Sequence, residues 1–121
     1  MHRSPGPVRA LVVSCLVAAV VATLSGCLQS PASTGSVCPS DSTLTYATFG
    51  QSFFGTYCNS CHNGRANPTL STQGDIQAWA DRIDAVAAAG PDATNTKMPQ
   101  SQNVPLAERQ KLGEWLACGA P

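Results

Sequence analysis

Charge is scarce in this chain. Only 12 % of its 121 residues are charged, seven Lys or Arg against seven Asp or Glu. No basic stripe runs through it, which argues against nucleic acid as a partner. Long-range steering of any partner is weak for the same reason. No apolar run reaches the roughly 18 residues that a membrane-spanning helix needs. The longest, Ala10 to Leu24, has about fifteen. Period-two alternation of useful length is missing, and so are internal repeats, so neither a β-sheet domain nor a repeat array is expected. The scarcest chemistry matters most. Histidine occurs only at 2 and 62, methionine only at 1 and 98.

The start of the chain reads as a processing signal. Arg3 and Arg9 precede the short apolar run, the pattern of an exported protein. Leu24-Ser25-Gly26-Cys27 then fits the bacterial lipobox, in which cleavage falls before the cysteine and the cysteine carries lipid. The rival readings are an ordinary signal peptidase site and an uncleaved anchor. Residues 1–26 are therefore expected to be a lipoprotein signal peptide and 27–43 a lipid-anchored flexible tether, rich in Ser, Thr, Pro and Gly. Order is expected to begin at Cys38. Residues 44–121 form the domain. Without the leader, five basic residues face seven acidic ones, and His62 and Met98 are the only histidine and methionine left.

Cys58-Asn59-Ser60-Cys61-His62 is a CxxCH segment, the attachment signal for a c-type haem. Its two sulfurs bond to the haem vinyl groups and its histidine binds the iron. A second histidine ligand from the same chain is then impossible. The sixth position falls to Met98, to an unusual ligand such as Lys97 or Asn95, to water, or to nothing. A thioether would favour ferrous iron and raise the potential.

Six cysteines divide into roles. Cys15 leaves with the signal, Cys27 takes lipid, and Cys58 and Cys61 hold haem. Cys38 and Cys118 remain. An exported protein meets an oxidising compartment, so these two favour a disulfide over free thiols. A zinc site would need Cys58, Cys61 and His62, and would make the CxxCH spacing a coincidence.

Three helices are expected, with long loops between them and no strands. The first spans Thr45 to Tyr57, with Tyr46, Phe49, Phe53 or Phe54, and Tyr57 at helical spacing. The second opens on a Thr72–Asp75 capping box and carries one apolar stripe through Ile76, Trp79, Ala80, Ile83 and Ala87. Gly90-Pro91 stops it. Pro105 suits the first position of the third. Its apolar face is Leu112, Trp115 and Leu116.

Taken together, residues 44 to 118 resemble a class I monohaem cytochrome c, in a bacterial lipoprotein form. Gly50 lies eight residues before the first haem cysteine and Phe54 four before it, as in that family. Asn67-Pro68-Thr69-Leu70 is similar to the element whose proline carbonyl takes the imidazole N–H. Met98-Pro99 matches the ligand methionine and its proline. Leu112-Gly113-Glu114-Trp115-Leu116 matches the C-terminal helix, which places Trp115 against Gly50. The resemblance implies an all-α small cytochrome c fold around one covalent haem c. It implies haem contacts from Pro68 and Leu70, and iron ligation by His62 and Met98. The Trp79 indole or the Arg82 guanidinium would meet a haem propionate; the plainer readings are a core Trp and a solvated Arg. The lysine-rich docking ring of mitochondrial relatives is absent.

The expected function is electron transfer in the bacterial envelope, not catalysis. Its partners would be redox proteins of the envelope, with the N-terminal lipid in the membrane. Leu28 after the lipid cysteine leans towards the outer membrane. Two other readings stand beside it. One is a haem-bearing accessory subunit of a membrane oxidoreductase. The other is a gas-binding or peroxidase-like protein with an open sixth position.

Overall fold

The structure, a computed structural model, describes residues 33–121, and among them every regular element is helical. The signal region and Cys27 lie outside the described residues. The first helix starts as a π-helical turn, Tyr46–Gly50, and continues as α1, Gln51–Tyr57. Thr45 caps it: its hydroxyl accepts the Thr48 N–H, while the Thr45 N–H donates to the Thr48 hydroxyl. That reciprocal pair satisfies two end groups. Cys58 ends α1, and a single further turn, α2, covers Asn59–His62.

The second expected helix is present in two pieces. The Thr72–Asp75 capping box forms and opens α3, Gln73–Ala78. The chain then breaks at Trp79, where φ is −111° and ψ 12°, and resumes as α4, Ala80–Ala87. The break rotates Trp79 off the stripe. Ile76 and Ile83 are buried, whereas Trp79 is 44 % exposed. Trp79 is therefore not the core residue that unbroken periodicity predicts.

The last helix, α5, spans Leu106–Ala117 and begins one residue later than expected. Pro105 has the extended ψ of 145°, so it caps the helix from outside instead of joining it. At the far end Gly119 takes a φ of +86°. Its N–H donates to Leu116 and the Ala120 N–H donates to Trp115. This is a Schellman close, which glycine permits without a Cβ penalty.

Trp115, fully buried, joins the ends of the fold. Its ring lies edge-on to Phe49 at 5.9 Å and tilted to Phe54 at 6.2 Å. A Cβ on Gly50 would stand 2.6 Å from the Trp115 indole carbons, so the glycine is required by close approach. This is the Gly50–Trp115 placement that the resemblance implied. The Trp115 Nε1–H donates to the Pro121 main-chain oxygen at 3.2 Å.

The segment before Cys38 departs from expectation. Order begins at least four residues earlier, at Thr34, which is fully buried. The Thr34 N–H and hydroxyl both donate to the Asp84 carboxylate, at 2.8 and 2.6 Å. The Asp92 N–H donates to the Thr34 carbonyl. Ser36 lies over Gly113, where a Cβ would come within 2.5 Å of the Ser36 hydroxyl oxygen and 2.6 Å of the Ala89 carbonyl oxygen. Residues 34–38 thus form an arm laid against α4 and α5. A disulfide between Cys38 and Cys118, with Cα atoms 4.7 Å apart, fastens it.

Candidate functional site

Cys58, Cys61 and His62 come from one continuous piece of helix. The Cys61 and His62 N–H groups both donate to the Cys58 carbonyl, which winds the CxxCH segment into a single turn. Cys58 is half-buried and packs on the core, while Cys61 is exposed. Both thiols are free. Burial pushes the Cys58 thiol up to about 12, against the opposing pull of the Arg109 charge. The Asn59 side-chain oxygen, next along the chain, is buried without a hydrogen-bond partner among the described residues.

The loop after α2 folds back onto His62. The Leu70 N–H donates to the His62 carbonyl at 2.8 Å. Pro68 is thereby brought over the imidazole, and its carbonyl oxygen lies 2.7 Å from Nδ1. A carbonyl only accepts, so Nδ1 carries the proton and Nε2 carries the lone pair. Such a bond fixes the ring and makes the bare nitrogen a better donor to a metal. Leu70 is buried in the same core.

Met98 is half-buried and packs against that core from the other side of the sequence. Its N–H donates to the Val86 carbonyl, the last turn of α4, at 2.8 Å. Its carbonyl accepts from Arg109 at 2.8 Å. Lys97 and Arg82 are exposed. Asn95 is held by the main chain, its amide donating to the Asp84 carbonyl at 2.9 Å.

Sequence reasoning missed Arg109. It is only 4 % exposed, and one of its nitrogens donates to the carbonyls of Ala87, Asn95 and Met98. The signal was present. Arg109, Leu112 and Leu116 stand at i, i+3 and i+7, so an arginine occupies the buried stripe of α5.

The donor set suits a covalently attached haem. Two unpaired thiols lie one turn apart, a histidine with its lone pair on Nε2 follows them, and a neutral thioether lines the same core. No group of three His, Cys, Asp or Glu side chains converges among the described residues.

A family model described as cytochrome c oxidase, cbb3-type, subunit III matches residues 47–116. Neither a curated protein nor a solved structure matches the chain.

Proposed function

The chain belongs to that cytochrome c family, whose covalently bound haem c serves electron transfer, and we propose that it carries one such haem with His62 and Met98 as axial ligands, on the periplasmic side of a bacterial envelope membrane. Haem, once bound, supplies a one-electron couple at iron. The protein's part is to hold and tune it. Cys58 and Cys61 would fix it through thioether bonds. The bond from Nδ1 of His62 to Pro68 would hold the proximal ring, and it is the observation that carries this reading. Leu70 would line the cleft. Trp79 and Arg82, both exposed on the α3–α4 side, are the candidates to meet propionates. Two protein ligands would close the iron to substrate, which favours a carrier over an enzyme.

The ferric spectrum of the unmutated protein tests the ligation. The weak red sulfur-to-iron charge-transfer band is expected, with low-spin iron at neutral pH. A high-spin spectrum without that band would remove Met98 and bring forward a gas-binding or peroxidase-like protein with an open sixth position.

A second reading is favoured by the description of the matched family. The chain would then be an accessory subunit fixed to a membrane oxidoreductase. Affinity capture from detergent-solubilised membranes separates the two. Stoichiometric recovery of oxidase or dehydrogenase subunits identifies a fixed subunit, and recovery of the cytochrome alone identifies a carrier. Lipid on Cys27 is part of the same proposal. A mature N-terminus at Cys27 with acyl chains is expected by mass spectrometry.

A further inference from the structure

Arg109 is the only charged residue buried in the described part of the chain. A buried cation costs free energy unless it is well paired. Arg109 pairs with no carboxylate among the described residues. Its partners are three main-chain carbonyls, at 2.6 Å from Ala87, 2.9 Å from Asn95 and 2.8 Å from Met98. These oxygens come from the end of α4 and from two points of the loop that follows. The Arg109 main chain joins in, its carbonyl accepting the Ala89 N–H at 2.9 Å. One residue of α5 therefore grips the segment from Ala87 to Met98 at four places.

An apolar side chain at this position would fill the space without the desolvation cost. It would also leave three carbonyls short of a donor, the one of Ala87 buried and those of Asn95 and Met98 partly so. All three bonds leave one guanidinium nitrogen, Nη1, at the end of a long side chain, whereas a lysine ammonium ends one bond shorter on a more flexible stem. The last of the three is the carbonyl of Met98 itself. On the other side of that residue, its N–H is held by Val86. The Met98 main chain is thus pinned at both its groups, one to α4 and one to α5.

We propose that Arg109 is the positioning residue of the Met98 loop and that it controls how readily Met98 leaves the haem iron. The part concerning release rests on the His62/Met98 ligation proposed above; the part concerning the loop does not. Without the guanidinium, the loop keeps the Val86 bond and the Ala89 bond to the Arg109 carbonyl but loses its three side-chain bonds to α5, the one at Met98 among them. Met98 should then dissociate more often, and an external ligand should enter faster.

The test uses the haem-loaded protein with R109K and R109M, reading two signals. The first is amide hydrogen exchange at Met98 and in α1. In R109M the Met98 amide should exchange about tenfold faster or more, the scale of losing hydrogen bonds to a charged donor. Exchange in α1 should change far less. The second is imidazole uptake by the ferric protein, which reads methionine release. Its rate should rise at least as much in R109M as the exchange does. R109K, which keeps the charge on a shorter, more flexible stem, should fall between wild type and R109M in both. Should R109M fail to mature, R109K alone carries the comparison with wild type. Unchanged Met98 exchange in the variants, or an equal rise in α1 and at Met98, would overturn the proposal. A wild-type protein without the sulfur-to-iron band would end the ligation reading. The exchange result, which needs no iron–sulfur bond, would still judge the loop's dependence on Arg109.

Discussion

At the scale of single residues, the two cysteines of the CxxCH segment are not equivalent. Cys58 sits on the core side and burial raises its thiol to about 12, above an ordinary value of 9.0. Cys61 is exposed. A raised thiol pKa means less thiolate at any given pH, and thiolate is the reactive form. In protein made without haem, alkylation at about pH 8 should modify Cys61 well before Cys58. The Cys58 rate should climb as pH approaches about 12. Equal labelling of both at the lower pH would contradict the burial of Cys58. After haem attachment neither sulfur titrates, so this pH dependence should vanish. Met98 makes a separate prediction. On the proposed ligation, M98A should keep the haem attached, lower the potential, and bind carbon monoxide strongly once reduced, because a soft neutral donor to ferrous iron would be lost. Carbon monoxide binding no stronger than in wild type would show that Met98 was not the ligand. The residue pattern singled out Cys58, Cys61, His62 and Met98 as candidates, because rare residue types in fixed spacing carry chemistry; the structure winds the first three into one turn and packs Cys58 and Met98 against one core. Arg109 was hidden in plain view. One arginine beside Lys111 and Glu108 reads as part of a solvated face, and only the structure shows which side of α5 it occupies.

At the scale of elements, Gly50 and Trp115 form a close joint between the first helical turn and α5. A methyl group at position 50 would meet rigid indole carbons at 2.6 Å. Overpacking of this kind typically costs about 1–3 kcal/mol. G50A should therefore lower the denaturant midpoint by a corresponding amount without changing the Cys61 or Met98 chemistry. A midpoint equal to wild type would mean that the two elements separate freely. The spacing of Gly50 and the aromatic residues was enough to anticipate this joint. The break at Trp79 was not readable. Periodicity reports which face a residue would occupy if the helix continued, and Trp79 stops it through its own φ and ψ. Pro105 shows a milder form of the same limit. Its fixed φ suits both the first helical position and the cap just before it, and only ψ decides between them.

At the scale of the whole molecule, the arm and the disulfide join the start of the domain to its end. Residues 34–38 have the composition of a linker, so their packing was not legible. The partner that orders Thr34 is Asp84, 50 residues away, and no local pattern announces it. The disulfide was legible by elimination among cysteines. It closes a separation of 80 residues. Replacing Cys38 and Cys118 by serine should lower stability by about 2–4 kcal/mol, chiefly by freeing the unfolded chain. Haem should remain attached, since neither cysteine belongs to the CxxCH segment. Chemical unfolding of the haem-loaded variant measures the first effect and intact mass the second. An unchanged unfolding midpoint would contradict the staple.

The arm also sets a leash. With Thr34 pinned to Asp84, seven residue steps separate that fixed point from Cys27. Seven residue steps span at most about 25 Å when fully extended. On a lipid-bearing Cys27, the domain would hover close to the bilayer and search for partners in a thin layer. Encounters would then depend on surface density in the membrane, not on volume concentration. Any partner would have to present its electron entry point at that height. Lengthening the leash would widen the layer, whereas freeing the arm would lengthen the leash without adding a residue.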